Sequence, residues 1–163
     1  MKLLRLQNDR YTFHLAKQES ELLTLILRLY PVIPPAHQPL SKSSARVNEA
    51  NQRLLDEALA EQRSANKKLV ESFLTDAQRF HVADESARVT VTAAEIEWLL
   101  QVLNDVRVGN WILLDSPDIE PRHIDPKDPN APRLWAMELA AMFQSALLRA
   151  LHKPPPAAGE KTP

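Results

Sequence analysis

The residues best suited to chemistry lie in one short run, Asn104-Asp105-Val106-Arg107, followed by Trp111. At helical spacing Asn104, Arg107 and Trp111 share one stripe, and Asp105 points about 100° away from it. An amide, a carboxylate and a guanidinium in the middle of an otherwise apolar helix need partners, or each costs about 1–3 kcal/mol. Two readings fit. One is a recognition or catalytic centre in which Asp105 and Arg107, with His123, work across a cleft as in a small hydrolase or transferase. The other is a satisfied polar network, with Arg107 bracing a loop carbonyl or carboxylate and Asp105 capping a neighbouring element. Structural ion pairs imitate sites easily, so the network of Asn104, Asp105, Arg107 and Trp111 is the first expectation.

Little else in the chain offers a reactive group. The five histidines, His14, His37, His81, His123 and His152, are scattered, and no two have the i,i+4 spacing of a helical metal site. His123 has acidic neighbours in Asp115, Asp118, Glu120, Asp125 and Asp128, but the EF-hand spacing and its turn glycine are missing, so a solvated loop is expected. Without cysteine there is no thiol nucleophile, thiolate site or disulfide. The two glycines, Gly109 and Gly159, cannot build a phosphate-cradling loop or a dinucleotide fingerprint. No Gly-x-Ser-x-Gly elbow occurs, and Glu95 and Glu97 face different sides of their helix. Trp98, Trp111 and Trp135 lie in apolar helices and read as core anchors. No catalytic residue, metal or cofactor is therefore expected. With 20 basic and 21 acidic side chains the formal charge is −1, and Arg63, Lys67 and Lys68 make only a small basic cluster. Nucleic acid is a disfavoured partner and a transcriptional regulator the weakest reading.

The elements that must hold these residues can be read from periodicity and proline. The chain has 163 residues, 44% of them hydrophobic, enough for one core. Residues 2–6 and 11–15 flank a polar turn, and Tyr11, Phe13 and Leu15 alternate with Thr12 and His14, which predicts a hairpin. From Lys17 to Tyr30 the apolar period becomes helical, and Pro31 stops it. After a proline- and serine-rich connector over 31–44, Ser43 or Ser44 can cap a long helix over about 45–80. Its middle, Ala60 to Lys68, offers a core only alanines, so it either projects into water or breaks the helix in two. Arg88-Val89-Thr90-Val91-Thr92 predicts a third strand. Thr92-Ala93-Ala94-Glu95 then forms a capping box into a helix over 93–114. The first strand-to-helix entry, Leu15 to Leu23, has the layout of Val91 to Leu99, with Ala16 in place of the capping Thr92. This is a weak repeat or one device used twice. A proline-rich acidic loop (115–131) leads to Pro132 at the first turn of a closing helix that runs to Leu151. The expected fold is mainly α (α+β): a four-helix core including one long helix, a small antiparallel sheet near the N-terminus, one domain over 1–152, and a disordered proline-rich tail over 153–163.

The run Glu95-Ile96-Glu97-Trp98-Leu99 through Leu103-Asn104-Asp105-Val106-Arg107, with the closing helix Leu134-Trp135 through Leu148-Arg149-Ala150-Leu151, resembles an uncharacterised family of small helical bacterial proteins best populated in actinobacteria. Its members share a strand, a capped helix entry and a Leu-Asn-Asp-x-Arg core, and the resemblance covers most of 1–151. No activity is established for that family. Its genes often stand beside those of Clp protease adaptors, so the resemblance implies proteolysis-linked regulation.

No uninterrupted apolar run reaches bilayer length, and charges break the amino-terminal stretch where a leader would be apolar. No membrane contact and a cytoplasmic address are expected. The apolar surface of the helices exceeds what one small core needs. The leading functional expectation is thus a non-enzymatic interaction or regulatory protein, with a protein partner or a second copy on that surface.

Overall fold

The computed structural model describes residues 1–33, 49–115 and 125–152. Strand β1 (Lys2–Gln7) turns through Asn8 and Asp9 into β2 (Arg10–Ala16). Both turn residues have positive φ, 50° and 56°, the backbone of the tight hairpin turn that suits strand twist and favours Asn and Asp. Helix α1 (Lys17–Arg28) follows without a loop, and after the connector come α2 (Glu49–Thr75), β3 (Phe80–Val82), β4 (Ser86–Thr92), α3 (Ala93–Leu113) and α4 (Ala131–His152). The mainly helical α+β class expected from periodicity is the one observed.

Two boundaries differ from those expected. The long helix is continuous through its alanine-rich middle but ends at Thr75, short of residue 80. Asp76 ends it: its side chain accepts from the Gln78 N–H at 2.9 Å, and its carbonyl accepts from the Arg79 and Phe80 N–H groups. Phe80, which fits the helical stripe by spacing, opens β3 instead, so the sheet has four strands where the sequence suggests three. The expected Ser43 or Ser44 cap, the first residues of the long helix and the tail lie outside the described residues.

Strand order is β1-β2-β4-β3, antiparallel throughout. The chain therefore runs through strand, strand, helix, helix twice, and the two halves meet at the β2–β4 ladder. Its register makes the relation sharp. Phe13/Val89, Leu15/Val91, Glu19/Glu95, Leu23/Leu99, Leu27/Leu103 and Tyr30/Val106 are separated by one constant interval in sequence. Phe13 and Val89 are also ladder partners, so an approximate two-fold axis passes between them. Except for the partly exposed glutamates, both members of each pair are buried in the core. The similar layout of the two strand-to-helix entries is one device placed twice about this axis.

Capping breaks the likeness. Thr92 Oγ1 accepts from the Glu95 N–H at 3.2 Å, and the Glu95 carboxylate accepts from the Thr92 N–H at 2.8 Å. At the first entry Glu19 accepts from the Ala16 N–H at 2.9 Å, and Ala16 has no oxygen to return the bond. Packing breaks it further. Helix α4 lies along α3, tied by Gln144 to the Leu100 carbonyl and by Arg133 to Asn110. Helix α2 instead buries, among its described residues, Val70 and Phe73 near its C-terminal end, with the Phe73 ring edge-on to Phe80 (5.8 Å) and Trp98 (5.9 Å).

Candidate functional site

Asp105 is drawn into a polar cluster. From α3 it faces Arg63 on α2, with Nε–Oδ2 at 3.6 Å, and its Oδ1 lies 3.5 Å from the Val32 N–H just beyond α1. Both side chains are mostly buried, 22% exposed for Asp105 and 14% for Arg63. Burial pushes the Asp105 carboxyl above its ordinary range; the Arg63 guanidinium and the Val32 N–H oppose this without cancelling it. One turn along α2, Asn66 bridges the other helices: its Nδ2 donates to Tyr30 Oη at 3.3 Å, and its Oδ1 accepts from Trp98 Nε1 at 3.2 Å. Burial likewise raises the Tyr30 hydroxyl, which Asn66 and Arg63 pull down and Asp105 pushes further up.

Beside this cluster lies an open cleft of about 380 Å³, lined by Ile33, by Gln62 and Arg63 of α2, and by Gln101, Asn104, Asp105, Val108, Gly109 and Ile112 of α3. Gly109 is there because the chain after α1 presses on it. A Cβ at that position would stand 2.7 Å from Val32 Cβ, well inside contact distance. Among the described residues the lining has three amide side chains, one ion pair and four apolar residues, and its carboxylate faces a guanidinium. Such a wall suits binding through amide hydrogen bonds and apolar contact.

The remaining sequence candidates do not converge. Asn104 lines the cleft but is exposed, and Arg107 is exposed and outside the lining. Trp111 is 37% exposed and also outside it. The exposure of Asn104, Arg107 and Trp111 has a simple reason. Helix α3 turns Ile96, Leu99, Leu103 and Val106 to the core, which leaves the Asn104–Arg107–Trp111 stripe on the outer face. Trp135, 49% exposed, is likewise no core anchor, whereas Trp98 is half-buried against Phe73. His123 lies outside the described residues, and among the described residues no three His, Asp or Glu side chains gather to hold a metal ion.

Arg63, Asn66 and Tyr30 were missed from sequence because Arg63 reads as part of a basic run with Lys67 and Lys68. A signal was present. Arg63, Asn66, Val70 and Phe73 follow a 3-4-3 spacing, so the two polar residues continue the apolar stripe that docks the helix. Buried Asn110 was also missed; it bonds the Val106 carbonyl at 2.8 Å and receives Arg133.

No known protein-family model, curated protein or solved structure matches the chain. Among the described residues no helix is long and apolar enough to cross a membrane.

Proposed function

We propose that this chain is a non-enzymatic interaction protein that presents helical surface to a protein partner or to a second copy of itself. The observation that carries this reading is the outer half of α2. From Arg53 to Ala58 every residue is exposed, and two adjacent leucines, Leu54 and Leu55, stand 65% and 53% in solvent. Leu59 is only half-covered, so an apolar strip continues along the helix. Leucines at this exposure gain about 1–2 kcal/mol each when a partner covers them fully, which is the energy of an interface anchor. The ion pair at Arg63 and the bridge at Asn66 hold the helix in place without covering that strip.

The enzymatic alternative has less behind it. Asp105 is paired with Arg63, and Arg107 does not reach the cleft.

Size-exclusion chromatography with light scattering, together with capture from lysate, tests the proposal. The expected result is a defined dimer or one co-purifying protein, lost in Leu54→Glu/Leu55→Glu with an unchanged circular dichroism spectrum. A strict monomer that captures nothing, or an assembly indifferent to both substitutions, overturns it.

A further inference from the structure

The sheet has two unlike faces. Phe13, Leu15, Val89 and Val91 turn one of them into the helical core. Strand alternation and ladder register put Lys2, Arg5, Gln7, Arg10, Thr12, His14, Arg88, Thr90, Thr92 and His81 on the other. Lys2, His14, Arg88 and His81 stand directly opposite one another, one from each strand, in a single row across the sheet. All four are exposed, as are Arg5 and Arg10. No aspartate or glutamate occupies any of these positions. Lys2 and Arg88, the two permanent cations of the row, stand on either side of His14 with no carboxylate between them. Of the carboxylates at the strand ends, Glu19 is engaged by the Met1 ammonium and the Ala16 N–H and Glu95 by Arg79 and Thr92, whereas Asp9, Asp84 and Glu85 are exposed in the two hairpin turns.

We infer that this basic sheet face is a docking surface for an acidic, extended protein segment. Charge complementarity selects the occupant. Four permanent cations, Lys2, Arg5, Arg10 and Arg88, lie on one flat face of a chain whose net charge is −1. The attraction is therefore local and short-ranged, suited to a short run of carboxylates rather than to a long polyanion drawn by a bulk field. Adjacent strands lie about 4.8 Å apart, and alternate residues of an extended peptide recur at about 6.8 Å, so carboxylates two residues apart can meet the guanidiniums and the lysine across the strands. The half-buried Thr90 hydroxyl lies between them, beside that of Thr12 at 3.5 Å. His14 and His81 supply the only rings at these positions, and none of the larger Phe, Tyr or Trp platforms on which a sheet stacks single-stranded bases stands among them.

The surface is separate from the α2 strip, and the two can fail independently. The test uses the full chain and a labelled alternating Asp-Ser peptide about a dozen residues long, followed by fluorescence anisotropy and by amide shift mapping. Binding at low salt that weakens as salt rises is expected, with shifts confined to the strands. Arg10→Glu/Arg88→Glu is expected to weaken it by about tenfold or more. Arg28→Glu on α1 and Leu54→Glu/Leu55→Glu on α2 should leave it unchanged. Shift mapping on the unaltered chain decides the matter even if the reversed variant folds poorly. Absence of binding, shifts that map to the helices, equal affinity in the reversed variant, or tighter binding of an oligonucleotide or of anionic vesicles each overturns the inference.

Discussion

Asp105 is where burial and pairing pull in opposite directions, and its pH behaviour follows. Its folded pKa lies above the unfolded value because burial outweighs the help from Arg63 and Val32. Below the ordinary aspartate range both states hold the proton. As pH rises, the unfolded chain releases it first, so the contribution of Asp105 to stability is full at acid pH and is lost as pH climbs through the raised folded value. Urea unfolding across the acid range is expected to show wild type losing stability relative to Asp105→Asn as pH rises; a wild type that gains on the variant towards neutral pH contradicts the assignment. Gly109 yields a second result at this scale. Gly109→Ala improves helix propensity by about 1 kcal/mol but drives a methyl into Val32, so a net loss of about 1–3 kcal/mol is expected in thermal or urea denaturation. Because the clash is with Val32 Cβ, Val32→Ala should not rescue it and Val32→Gly should.

Among the elements, the two strand-to-helix entries form a natural pair of experiments. Thr92→Ala removes a working cap and should cost about 1 kcal/mol. Ala16 has the extended backbone of an N-cap, φ −62° and ψ 158°, with no side-chain acceptor. Ala16→Ser is therefore expected to stabilise by about 0.5–1 kcal/mol, read as a shift in the urea midpoint at unchanged slope. These caps also show what the sequence made legible. Thr92-x-x-Glu95 marks its helix start because capping is local, and Tyr11-Phe13-Leu15 marks its strand because alternation is local. The end of α2 was hidden because Phe80 satisfies a helical stripe and a strand equally well, and an aspartate turn at Asp76 decides between them. The site was only half legible for the same reason. Asp105 stood out as a polar residue in an apolar helix, but its partner Arg63 is far off in sequence, and only the docking of α2 brings the two together.

At the scale of the whole molecule, stability is uneven. Sheet, α1, α3 and α4 share the buried core, whereas among its described residues α2 enters it near its C-terminal end, through Val70 and Phe73 with Leu74 packed beside them. Hydrogen exchange is expected to be fast for amides over residues 53–62 and slow around Val70 and Phe73, with the ion pair and the Asn66 bridge marking the boundary. Uniform protection along α2 would mean that a partner, or a second copy, already covers its outer half. The near-symmetric ladder has a consequence of its own. Phe13 and Val89 sit at the point about which β2 and β4 exchange places, so every hydrogen bond between the halves can also form between the first half of one molecule and the second half of another. The corner at Asp76 would then serve as the hinge, and reciprocal swapping would build an interlocked pair with no new contact surface, its yield set by concentration at the moment of folding.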